Sequence, residues 1–138
     1  MAQPLDVQYA LRAADRVFRL QIADRPESQR RGLMWRERLP PDQGLLMVMP
    51  KAMEIGVWMK NMHFALDVVW LSVSWQVLDV KTLMPCRTTR CPVYTPRVKA
   101  RYLLEVGAGQ FPLKVGQKVE IIHTSGDSLP PQLNAAQP

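Results

Sequence analysis

The sequence predicts a mainly β fold, a compact single-domain barrel or sandwich of jelly-roll-like form, with about seven to eight short strands and one short helix. Three observations lead there. Short runs rich in Val, Ile, Leu, Phe and Trp recur along the chain, each bounded by Pro, Gly, Asn or Asp. Only the segment after Pro26 carries the charge preferences of a helix. Finally, 138 residues with 47% hydrophobic and 22% charged content suit one domain with a real core.

The elements follow in order. Arg16 to Ala23 alternates Phe18, Leu20 and Ile22 against Arg19 and Gln21, as a half-buried strand does. Val7 to Leu11 is its expected hairpin partner, turning near Ala14-Asp15. Pro26 suits a first helical position, and Glu27 to Met34 continues as a helix with Arg30 and Arg31 in its later part. Leu39 to Gly44, with two adjacent prolines, reads as a turn. Leu45 to Met49 is continuously apolar, the pattern of a strand covered on both faces. Pro50 to Glu54 reads as a connection and Val57 to Met62 as extended chain. Asp67 to Leu71 and Gln76 to Leu83 form a hairpin through Ser72 to Trp75, and Pro85 to Pro96 is a loop holding both cysteines. Tyr102 to Val106 and the end of Lys114 to Ile122 supply the last strands. These elements make one β domain over residues 1–123, whereas 124–138 turns to Ser, Gly, Pro, Gln, Asn and Ala and reads as a disordered tail.

The chain carries a net charge of +6, and 12 of its 18 basic residues are Arg. Eight of these fall between Arg12 and Arg38, interrupted by Asp15, Asp24, Glu27 and Glu37. Such an imbalance permits contact with nucleic acid or anionic lipid, but equally describes a solvated basic face. No apolar stretch reaches the ~18–20 residues of a membrane-spanning helix. The start, Met-Ala-Gln-Pro-Leu-Asp, carries no basic leader or apolar run. As written it therefore reads as cytoplasmic; trimming of a leader would make the protein exported or periplasmic.

The segment Val57 to Asp67 carries the candidate site. Alternation places Trp58 and Lys60 on one face and Met59 and Asn61 on the other. A Lys and an Asn among bulky apolar neighbours must find partners or reach water, and Asp67 is a candidate partner for Lys60. Lys60, Asn61 and Asp67, joined by Glu105, could line a cleft for a small polar or anionic ligand or a peptide. The same residues could instead form an ion pair and an amide that fix strand register. Arg31, beside Arg30, could clamp a carboxylate or phosphate, or stay in solvent while Leu33, Met34 and Trp35 pack. Trp75, in an expected hairpin turn, is either an exposed anchor for a partner or a side chain folded back over a strand.

Cys86 and Cys91 enclose four residues. A disulfide is the first reading and free thiols the second; a zinc site would need two more ligands, and His63 and His123 lie far apart in sequence. The chain holds no Gly-x-Ser-x-Gly elbow, phosphate-binding Gly-rich loop or His-Glu-x-x-His helix. No metal or cofactor is implied.

Four ordered blocks, Arg31-Gly-Leu-Met-Trp-Arg36, Gly44-Leu-Leu-Met-Val-Met49, Trp58-Met-Lys-Asn61 with Leu66-Asp67, and Leu104-Glu-Val-Gly-Ala-Gly109, resemble the domain-of-unknown-function family 192. This chain departs from that pattern at Met62, where Thr is usual, at Ala65, where Pro is usual, and at Ser74-Trp75, where the turn commonly carries Asp-Gly. The resemblance implies a compact, mainly β barrel-like fold and, in many relatives, export behind a leader peptide. It supplies no mechanism.

Three functions then compete. The first is a non-catalytic binding or accessory module acting in the cell envelope. The second is a small hydrolase or transferase using Asp67 or Glu105 as base with Lys60 as electrostatic stabiliser, which requires these groups to share one pocket. The third is a basic nucleic-acid-binding barrel with Trp35 and Trp75 as stacking platforms, though no recognisable motif supports it.

Overall fold

The computed structural model describes residues 8–125 and 129–133. Its strands are β1 (Tyr9–Ala13), β2 (Arg16–Ala23), β3 (Gln43–Met53), β4 (Val57–Trp58), β5 (Leu66–Leu71), β6 (Val77–Leu83), β7 (Val93–Tyr94), β8 (Ala100–Gly107) and β9 (Glu120–His123). One helix, α1 (Pro26–Arg31), joins β2 to β3, and a 3-10 turn spans Pro131–Leu133. Seven strands form a sheet in the order β6-β5-β8-β3-β2-β1-β9, while β4 and β7 pair separately. Only β2 and β3 run parallel within the large sheet, as a strand-helix-strand crossover demands.

The mainly β prediction holds, with nine strands among the described residues rather than seven or eight. The barrel does not close, because β6 and β9 remain the two edges of the sheet. The chain leading into β9 does reach the start of β6, where Val77 N–H donates to the Gln117 carbonyl at 2.8 Å and Val119 N–H to the Trp75 carbonyl at 3.0 Å. The curled sheet wraps one core around Phe18, Leu20, Leu46, Leu71, Tyr102 and Leu104.

A second core lies on the opposite face, where Leu45, Met47, Val68, Trp70 and Leu103 meet Leu33, Ile55, Val57, Met59 and Met62 from the covering chain. This double coverage explains the unbroken apolar run of β3 and the nearly continuous ones of β5 and β8, interrupted by Asp67 and Glu105: alternate residues serve different cores. The cover is tied down by Trp70, whose indole N–H donates to the Ile55 carbonyl at 2.9 Å. Tyr94 of β7 packs on the Trp70 ring and donates its hydroxyl to Asp79 Oδ2 at 3.1 Å.

Local departures from the sequence reading have local causes. The helix stops at Arg31 because Gly32 takes φ +48°, and the chain then turns through Trp35. Pro50 to Met53, read as a connection, continues β3 past a bulge between Val48 and Met53. Val57 to Met62 is strand only as far as Trp58, and Asn61 turns the chain at φ +61°, a conformation Asn tolerates. The Pro85 to Pro96 loop contains β7. Gly44 is required by close approach: a Cβ there would stand 3.0 Å from Val106 Cγ1 and 3.2 Å from the Glu105 carbonyl oxygen.

The segment beyond Thr124 contributes more than its composition suggests. Leu133 is buried in the first core, and the carbonyls of Gln132 and Leu133 accept from the Tyr102 hydroxyl at 2.8 Å and the Trp75 indole at 3.3 Å. The rest of the expected tail, 126–128 and 134–138, lies outside the described residues. Trp75 folds inward at 5% exposure and stacks on Tyr102, with ring centroids 3.9 Å apart and planes 6° from parallel. Its φ of +67° is the geometry that an Asp-Gly turn would supply with glycine. Burial of the indole offsets that backbone strain.

Candidate functional site: a cavity on the covered face of the sheet

The covering chain does not seal the sheet. Between α1, the turn after it, the segment through Met62 and strands β3 and β8 lies a cavity of about 590 Å³. Its lining is mainly apolar and includes five methionines, Met34, Met47, Met49, Met59 and Met62, whose unbranched side chains can adapt to a guest. Gln29, Arg30 and Arg31 line it from the helix, Trp58 from β4 and Glu105 from β8.

Strand alternation explains why Glu105 faces this cavity. In β8, Tyr102, Leu104 and Val106 enter the first core, so Leu103 and Glu105 must point to the other face. Glu105 pairs with Leu45 of β3 and Val68 of β5, both in the second core. It is only 5% exposed, yet its carboxyl takes no hydrogen bond or ion pair from any described residue. Burial pushes its pKa up to about 7.

Nearby donors are directed elsewhere. The Gln29 amide donates to the carbonyls of Ala23 at 3.1 Å and Val48 at 2.9 Å, fastening the helix to β2 and β3. Arg36 donates to the Gln21 side-chain oxygen. Gly32 keeps the approach to Glu105 open, because a Cβ there would stand 3.6 Å from Glu105 Oε1.

The remaining candidate residues divide. Asp67 lies on the opposite face of the sheet from Glu105, since Val68 and not Asp67 joins the second core. Its carboxylate accepts from the Thr82 hydroxyl at 2.7 Å and from Phe111 N–H at 3.0 Å, joining β5, β6 and the loop after β8. The suggested Lys60–Asp67 pair is therefore not formed. Lys60 is exposed and does not line the cavity; its Nζ lies 5.3 Å from the ring centroid of Trp58, which does and is itself 46% exposed. Asn61 does not line the cavity either: its carbonyl accepts Trp35 N–H at 2.9 Å, and its amide approaches Sδ of the lining Met34 at 3.9 Å.

Cys86 and Cys91 are joined in a disulfide. The linked loop supports the cavity wall from behind: Cys86 N–H donates to the Met59 carbonyl at 3.1 Å, and Lys60 bridges Cys86. Sequence reasoning singled out Glu105, Arg31 and Trp58 but missed the methionines and Gln29. A charged residue inside the apolar run of β8 was the available signal, whereas methionines from three separate segments gave none.

These features define a small, mainly β domain with an apolar cavity roofed by irregular chain and floored by one buried acid. Residues 9–121 match the model of the domain-of-unknown-function family 192, described as an uncharacterized ACR, and the chain belongs to that family. It is 30% identical over 88 residues to UPF0127 protein PH1112 of Pyrococcus horikoshii, a match covering 62% of this chain and 70% of that one. Two solved structures share the fold. A putative transcription regulator from Sinorhizobium meliloti superposes with TM-score 0.72 at 22% identity, covering 81% of this chain and 90% of its own. A protein of unknown function from Novosphingobium aromaticivorans gives TM-score 0.70 at 21% identity, covering 81% and 82%.

Proposed function

We propose that this protein is a non-catalytic binding module whose site is the covered-face cavity, with Glu105 as its polar anchor, Arg31 and Trp58 in its lining and Lys60 and Asn61 on the chain beside it. One observation carries the reading: the nearly buried Glu105 carboxyl, which no described residue hydrogen-bonds, opens onto mainly apolar space. A donor brought by a guest would meet this carboxyl inside the cavity, where a hydrogen bond is electrostatically stronger than on an open surface. The lining favours an apolar body with a single polar group over the small polar or anionic ligand expected from sequence. Asp67 takes no part, because it is saturated on the other side of the sheet. A hydrolase or transferase built on Asp67 with Lys60 loses its shared pocket for the same reason, and one built on Glu105 would need Lys60 to enter a cavity whose lining does not include it.

Methionine methyl NMR tests the reading. Titration with 1-hexanol as an apolar probe should shift the methyl resonances of Met47, Met49, Met59 and Met62. Met53 and Met84, exposed and outside the lining, should stay still. No response, or a uniform drift of every methyl, would remove the cavity as a binding site.

A further inference from the structure

The recess in front of Gly32 has an unusual polarity. A Cβ at Gly32 would stand 3.6 Å from Glu105 Oε1, 3.8 Å from the Gln29 carbonyl oxygen and 3.5 Å from Met47 Cε. Both polar walls are hydrogen-bond acceptors when the acid is ionised. The Gln29 carbonyl lies beyond the last intrahelical bond, which Gly32 N–H makes to the Ser28 carbonyl, so it belongs to the unsatisfied end of α1. Among the described residues no lining donor is bonded to these acceptors: the Gln29 amide is committed to Ala23 and Val48, and Arg30 and Arg31, which also line the cavity, make no ion pair with Glu105.

A carboxylate or phosphate placed there would meet two acceptors and no donor. A hydroxyl could satisfy one acceptor with its single hydrogen, but its lone pairs would face the other. An ammonium group carries three donors and no acceptor, and it supplies the positive charge that a buried carboxylate lacks. The apolar walls beyond the recess suit an attached hydrocarbon body.

We infer that the ligand of this cavity is a primary amine with an apolar body, its ammonium seated between the Glu105 carboxylate and the Gln29 carbonyl, its body among the methionines. This inference rests on the cavity being the binding site, and names the chemical class of what enters. The pair forms by association alone. When Glu105 is protonated beforehand, its proton leaves to solvent as the ammonium binds.

Three probes of equal chain length separate the alternatives: hexylammonium, 1-hexanol and hexanoate, each titrated into wild-type protein and E105Q while the methionine methyls are followed. The expected result is hexylammonium binding at least about tenfold more tightly than 1-hexanol, as a charge-assisted hydrogen bond should provide. Hexanoate should bind most weakly. In E105Q the amine advantage should vanish while 1-hexanol affinity is retained. Equal affinities for amine and alcohol in wild type, or an amine preference that survives in E105Q, would overturn the amine assignment and leave the cavity reading standing. Failure of all three probes to move the lining methyls would overturn both. A circular dichroism melt of E105Q shows that its fold is intact before either conclusion is drawn.

Discussion

Replacing Glu105 by Gln removes the charge while keeping the shape, and the outcome can be worked from the environment of the acid. The folded-state pKa is raised to about 7 from the ordinary 4.5 because burial disfavours the charged form and no described residue pairs with the carboxyl. A group raised in this way favours folding fully below its unfolded pKa, and that contribution is lost as the pH climbs through the folded one. Between pH 4.5 and 7 the unfolded chain has released the proton and the folded chain still holds it, so stability falls as pH rises. At 1.36 kcal/mol per pKa unit, the full difference is on the order of 3 kcal/mol, most of it lost between about pH 5 and 8. The variant carries no such term. Urea denaturation of both proteins across this range should show E105Q gaining roughly 2–3 kcal/mol on the wild type as the pH rises, at constant m-value. Parallel stability curves, with the same difference at pH 5 as at pH 8, would refute the claim that the acid is buried without a counter-charge.

Further expectations concern the groups that shape the fold. Trp75→Ala should cost about 3–5 kcal/mol through loss of the stacked indole, and Trp75→Gly roughly 1 kcal/mol less, because only glycine accepts the positive φ freely; urea midpoints give the order. Asp67→Ala leaves Phe111 N–H and the Thr82 hydroxyl without their carboxylate and should destabilise by about 2–4 kcal/mol. The same variant should bind cavity probes as the wild type does, since Asp67 faces the other core. Natively purified protein should show no alkylatable thiol by intact mass, and reduction of Cys86–Cys91 should lower stability by about 2 kcal/mol in denaturant melts.

Periodicity and punctuation were enough to read most of the sheet from sequence. The alternation of Phe18, Leu20 and Ile22 marked β2, and the unbroken run Leu45 to Met49 marked a strand covered on both faces. Both patterns are local, set by whether a side chain must leave water. The four sequence blocks likewise pointed to the family that the model match over 9–121 confirms.

Which face each polar residue occupies was a different matter. Lys60, Asn61 and Asp67 are close in sequence, yet only the sheet register decides that Asp67 turns toward Thr82 while Lys60 reaches solvent over Trp58. Trp75 could be read either outward or inward until Tyr102, twenty-seven residues away, supplied the ring on which it stacks. The acid of β8 was visible as an odd residue in an apolar strand. Its lack of a partner was not, because that depends on where α1, Gly32 and the Gln29 amide come to rest. Local burial patterns are written in a few consecutive residues, whereas a cavity is the space left between distant segments, and that space exists only once the chain has folded.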